Sequence, residues 1–112
     1  MDEIKRYKIF YTRTAVKDLD DKADHIAFQL SDPETAQRWY LRLRESIQTG
    51  LTTFPLKYPL YDVEPWREKG VRLFITRNDV VLYSVDPAEQ AVYIRAVCTK
   101  GRDLSAHLEE ME

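Results

Sequence analysis

Apolar positions recur along the chain at two different periods, and the change of period divides it into elements. In Ile4–Thr12 the residues Tyr7, Ile9 and Tyr11 alternate with their neighbours in a stretch rich in β-branched and aromatic types, which predicts a strand. From Thr14, read as an N-cap, Val16, Leu19, Ala23, Ile26, Ala27 and Leu30 fall on one helical stripe, predicting an amphipathic helix over 15–31. Asp32-Pro33-Glu34 restarts a helix, with a capping carboxylate, a proline suited to the first turn and an acid near the positive end of the dipole. Ala36, Tyr40, Leu43, Ile47 and Leu51 form the stripe of this second helix, over 33–52. So short a connection forces an antiparallel helical hairpin.

Phe54-Pro55 ends the hairpin. Pro55, Pro59 and Pro65, with Tyr58, Tyr61 and Trp66, make 55–70 an irregular aromatic loop. Three strands follow at 71–76, 80–85 and 91–98, joined by Arg77-Asn78-Asp79 and Asp86-Pro87-Ala88-Glu89. A short final helix is expected from about Asp103. The order strand, helix, helix, strand, strand, strand predicts an α+β fold, with a three-strand antiparallel meander packed on the hairpin.

Counting outward from an Asn78-Asp79 turn puts Leu73, Ile75, Val80 and Leu82 on one face of the sheet. Arg72, Phe74, Thr76, Val81, Tyr83 and Val85 fall on the other. If the aliphatic set packs on the helices, then Arg72, Phe74, Tyr83, Tyr93 and Arg95 line an open face suited to a nucleic acid or a protein partner. On the helices, Phe28 and Leu41 lie far from their stripe centres and Trp39 sits at a stripe edge, which marks a surface for a partner helix.

Composition narrows the chemistry. The chain has 112 residues and is expected to form one domain, since cores divide only beyond roughly 250 residues. Its net charge of −2 argues against a non-specific coat on nucleic acid. Residues 104–112 carry Glu109, Glu110 and Glu112 and no Lys or Arg, so that segment reads as an acidic tail. No apolar run is long enough to span a bilayer, no signal segment follows Met1–Arg6, and the single Cys98 fits a reducing cytoplasm. Cys98 is expected in the core, and Asp18, Asp20, Asp21 and Asp24 on the solvated side of the first helix. No metal-ligand spacing and no glycine-rich phosphate loop occur, so neither a metal nor a cofactor is expected.

Five pieces in order resemble the RelE/ParE superfamily of toxins from bacterial type II toxin–antitoxin modules. They are the opening strand leading to Thr14-Ala15-Val16-Lys17-Asp18-Leu19; Asp32-Pro33-Glu34-Thr35-Ala36; Leu51-Thr52-Thr53-Phe54-Pro55; Gly70-Val71-Arg72-Leu73-Phe74 with Val81-Leu82-Tyr83-Ser84-Val85; and Val92-Tyr93-Ile94-Arg95-Ala96-Val97 running to Lys100-Gly101-Arg102-Asp103-Leu104. The resemblance covers about residues 4–104.

The resemblance implies a growth-arresting toxin neutralised by a cognate antitoxin, with two branches of action. RelE-type members are metal-independent ribonucleases that cut mRNA on the ribosome; ParE-type members poison DNA gyrase. Arg72 matches the arginine that holds the scissile phosphate in the nucleases, and Lys100 and Arg102 fall where a further basic residue follows the last strand. Val63 and Pro65 stand where the nucleases place two lysines, with Arg67 and Lys69 nearby. Ala106 and His107 occupy the region of a missing C-terminal tyrosine, and the Glu base and His-Tyr ending of another nuclease branch have no counterpart. A nuclease reading would use Arg72 and Lys100 for charge stabilisation, Lys69 as base and His107 as acid. The long hairpin and Phe54-Pro55 look more like the gyrase-poisoning branch. A degenerate member that only binds its partner is a third reading.

Overall fold

In a computed structural model the described residues are 6–101, Leu104 and His107. Strand β1 spans Lys8–Tyr11, helix α1 Arg13–Gln29 and helix α2 Pro33–Leu51. A 3-10 turn at Pro55–Lys57 follows, then β2 Arg72–Ile75, β3 Asp79–Asp86 and β4 Ala91–Thr99. The sheet order is β1-β4-β3-β2; β1 runs parallel to β4 and the other pairs are antiparallel. The expected α+β hairpin-and-meander architecture is therefore present. Leu104 and His107 have helical backbone, and the remainder of the expected C-terminal helix and acidic tail lies outside the described residues.

The two helix starts show which local signals act. Asp32 caps α2 as expected, its carboxylate accepting the Thr35 N–H at 3.1 Å. For α1 the cap is Thr12 rather than Thr14. Its hydroxyl accepts the Ala15 N–H at 3.2 Å and donates to the Ile94 carbonyl at 2.9 Å. A contact to β4, more than eighty residues away in sequence, decided between two neighbouring threonines. Near the other end of α2, Gly50 lets the helix approach the sheet, since a Cβ there would sit 2.7 Å from the Phe74 ring.

The two faces of the β2–β3 pair are divided as the alternation predicts, but the helices cover the opposite one. Phe74, Val81 and Tyr83 pack with Leu19, Leu43, Ile47 and Leu51, whereas Val80, Leu82 and Leu73 lie on the far face under Tyr61, Trp66 and Leu104. The reason is that both faces are buried: loop 55–70 folds over the aliphatic side. A strand covered on both sides is apolar throughout, so hydrophobicity alone cannot say which face meets the helices.

The register also differs, by two residues. Ile75 pairs with Val80 and Arg72 with Tyr83, so Asp79 is not in the turn but opens β3, almost fully buried. In β4 the pairing moves from Leu82↔Ala96 to Tyr83↔Ile94, leaving Arg95 as a bulge. The bulge sends Val92, Ile94 and Val97 to the helix side while Ala96 joins the far side.

Candidate functional site

Of the four residues of the nuclease reading, Arg72 and Lys100 lie at opposite ends of β3, and Lys69 and His107 each contact another side chain. Arg72 donates through Nη1 to the carbonyls of Tyr58 at 2.6 Å and Leu56 at 3.2 Å, tying the 3-10 turn and the residue after it to β2. Lys100 lies beyond the far end of β4, its N–H bonded to the Asn78 carbonyl at 2.9 Å. From Tyr83, the partner of Arg72, back along β3 to Asn78 just before it is five residues, or about 16 Å of extended chain. The Lys69 ammonium stands 5.0 Å from the centre of the Trp66 ring. His107 Nε2 lies 2.9 Å from the Asp18 carboxylate on α1.

Asp18 itself departs from expectation. Its side chain is only 8% exposed and accepts the Val97 N–H at 2.8 Å, so it belongs to the β4 edge and not to the solvated acidic face. Asp20, Asp21 and Asp24 are exposed as expected.

Of the residues assigned to an open aromatic face, Phe74 and Tyr83 are instead in the core between helices and sheet. The Tyr83 hydroxyl donates to the Pro55 carbonyl at 2.5 Å, and burial pushes its phenol above the ordinary range, against a smaller opposing effect of the Arg72 charge. Tyr93 and Arg95 do lie on the far face, beside the half-exposed Phe10. The Phe10 and Tyr93 rings stack at 5.5 Å, the Arg95 guanidinium stands 5.6 Å from the Tyr93 ring, and its Nε donates to Ser84 Oγ at 2.9 Å. Arg102 lies outside the described residues.

The hairpin residues separate as well. Phe28 is 78% exposed and Leu41 58% exposed, unlike Trp39, whose indole N–H reaches inward to Asp79 Oδ2 at 2.9 Å. Lys22 bonds the other oxygen of that carboxylate and stands 5.1 Å from the Trp39 ring centre. Asp79, Lys22 and Trp39 thus pin the β2–β3 turn to the hairpin. Between these elements runs a groove of about 430 Å3, with Arg38 and Arg42 on α2 and Arg77 on the turn along its rim. Sequence reasoning missed the groove because Asp79 is separated from its partners by 57 and 40 residues and reads locally as a turn residue.

Residues 9–104 match the model of the ParE toxin of the type II toxin–antitoxin system parDE. The chain belongs to the ParE toxin family. No curated protein sequence matches it. The toxin–antitoxin complex RelBE2 from Mycobacterium tuberculosis contains a similar structure, with a TM-score of 0.66 and 20% identity, over 91% of this chain and 100% of that one. A chain of the chromosomal ParDE system from P. aeruginosa also has a TM-score of 0.66, with 21% identity, over 83% of this ParE-family chain and 95% of that one. At such identities the likeness is one of fold. Among the described residues no helix is long and apolar enough to cross a membrane, and no group of His, Cys, Asp and Glu could hold a metal ion.

Proposed function

We propose that this ParE-family protein arrests growth by engaging a protein target, DNA gyrase, and is held inactive in the cytoplasm by a cognate antitoxin. The observation that carries the reading is the separation of Arg72 from Lys100, the two charge-stabilising candidates of a nuclease. RNA cleavage through the 2′-hydroxyl needs a base, an acid and charge stabilisation converging on one phosphate. Here the Arg72 guanidinium is bonded to two main-chain carbonyls, and Lys100 lies at the opposite end of the strand pair. Lys69 and His107 are engaged with Trp66 and Asp18. The family match over residues 9–104 supports the same branch.

Purified protein offered separately to gyrase with supercoiled DNA and to programmed ribosomes tests the reading. Trapped DNA breaks with intact mRNA are expected. Ribosome-dependent mRNA cleavage that disappears in Lys100→Ala would overturn it, and so would induced expression without the antitoxin that leaves growth unchanged.

A further inference from the structure

The turn that leaves the helical hairpin is held from beneath by hydrogen bonds while its large apolar side chains face water. Leu51, at the end of α2, and Pro55, which opens the 3-10 turn, are fully buried. The Pro55 carbonyl accepts the Tyr83 hydroxyl, and the Leu56 and Tyr58 carbonyls accept Arg72 Nη1. Just before the turn the Thr52 carbonyl accepts the Tyr7 N–H at 2.7 Å, and just after it the Tyr58 ring meets the Phe74 ring edge-on at 5.0 Å. Yet Phe54 is 64% and Leu56 48% exposed, on either side of the buried proline. Bonds to the main chain do not cover those two side chains. They do hold them in one geometry, which lowers the ordering cost of a contact.

The surroundings of the turn narrow its occupant. Two exposed side chains on a tight turn fill a pocket rather than form one, so the partner is a macromolecule with a concave apolar site. Lys57 is exposed beside Leu56, and among the described residues no carboxylate is in ion-pair contact with it. The chain itself supplies no acid between Glu45 and Asp62. A pocket bordered by carboxylates therefore complements the turn. A second copy does not, because a two-fold contact here would bring Lys57 towards its own symmetry mate. Nucleic acid is disfavoured as well, since its affinity grows with the number of phosphates neutralised and the turn offers one cation. The turn is also remote from the groove beside Arg38 and Arg42: Leu51 lies nine residues beyond Arg42, about 14 Å along α2. The bonds that take the Arg72 guanidinium away from phosphate chemistry are the ones that build this turn. The feature that favours a protein target thus also furnishes a contact for one.

We propose that Phe54 and Leu56 are the apolar anchor by which this protein engages its target, entering a pocket of gyrase whose rim carries carboxylates opposite Lys57. The inference rests on the reading above that gyrase is the target. A few well-seated apolar side chains carry most of the energy of such a contact, and they act chiefly on the dissociation rate.

The test uses the purified full chain. Gyrase affinity and trapped DNA breaks are measured beside affinity for the antitoxin encoded by the adjoining reading frame. The double variant F54S, L56S should bind gyrase about 30-fold more weakly or worse, and trap breaks only at correspondingly higher concentration, with antitoxin affinity and the circular dichroism spectrum unchanged. K57E should weaken gyrase binding by a smaller factor, and more at low salt than at high. Tyr83→Phe, which frees the Pro55 carbonyl but keeps both anchors, should weaken it several-fold. Should the double variant fail to fold, L56S alone and K57E decide the matter. Unchanged gyrase affinity in the Ser variants and in K57E would overturn the anchor assignment while leaving the gyrase reading intact. A loss of antitoxin affinity equal to or greater than the loss for gyrase would overturn it too, by giving the turn to the antitoxin. An unmodified chain that neither binds nor poisons gyrase would instead remove the underlying reading.

Discussion

The Asp18 carboxylate accepts the main-chain N–H of Val97 at 2.8 Å, joining the second turn of α1 to β4 beyond the point where β1 ends. Strand β1 pairs with β4 only as far as Tyr11↔Ile94, so the next stretch of β4, paired with β3 on one side, has no strand on the other. Thr12 takes the Ile94 carbonyl and Asp18 the Val97 amide, so helix α1 completes the edge with side chains.

Asp18→Ala should therefore destabilise the protein by about 1–3 kcal/mol in urea unfolding, because a largely shielded N–H loses its acceptor. His107→Ala should cost less, since Val97 keeps its partner. Equal losses in the two variants would contradict this account.

The Asp79 carboxylate holds Lys22 and Trp39 together, with the Asp79 side chain 3% and the Lys22 side chain 20% exposed. Asp79→Ala leaves a shielded ammonium and an indole N–H without their acceptor, and should cost about 3–5 kcal/mol. The double variant Lys22→Met with Asp79→Leu should lose less than the single one. A thermodynamic cycle from chemical denaturation measures the coupling.

Tyr83 and Tyr11 both have phenols pushed above the ordinary value of 10.0, chiefly by burial. The folded state then holds its protons where the unfolded chain gives them up. Stability from these groups is complete below about pH 10 and falls as pH rises above it. Tyr83→Phe should lower stability at pH 7 by about 1 kcal/mol through loss of the bond to Pro55. It should also make the alkaline decline shallower, as followed by denaturation between pH 8 and 12.

Arg72 bridges two carbonyls of the segment that follows the hairpin. In Arg72→Ala, protease cleavage near Leu56–Tyr58 should become faster while cleavage within β3 and β4 stays slow. Arg72→Lys should give an intermediate rate, because an ammonium can still donate to a carbonyl but sits on a shorter, more flexible stem than the Nη1 that reaches both acceptors. Mass spectrometry of the limited digest identifies the sites.

Gly50 and Phe74 meet too closely for a Cβ. Gly50→Ala gains helix propensity of up to about 1 kcal/mol but forces the ring to move, and such overpacking costs typically ~1–3 kcal/mol. In a Phe74→Leu background the same substitution should be more favourable, which paired melting curves would reveal.

Periodicity and punctuation were enough to place the elements, because those signals are local. Asp32-Pro33 starts α2 through its own side chain, and the alternation across Arg72–Ile75 and Val80–Tyr83 separates the same two sets of residues found on the two faces. What the tertiary structure alone decided is where those sets point and what their polar groups meet. Phe74 and Tyr83 went beneath the helices because loop 55–70 covered the other face, and a sheet buried on both sides carries no hydrophobic label for either. The Arg95 bulge reversed the alternation midway along β4. Asp18, Arg72 and Asp79 read locally as a solvated acid, a phosphate-binding arginine and a turn residue. Each took a structural role from a distant partner: Val97, the Leu56 and Tyr58 carbonyls, and Lys22 with Trp39. Buried polar groups must be satisfied by whatever the fold brings near them, and sequence spacing does not record that proximity.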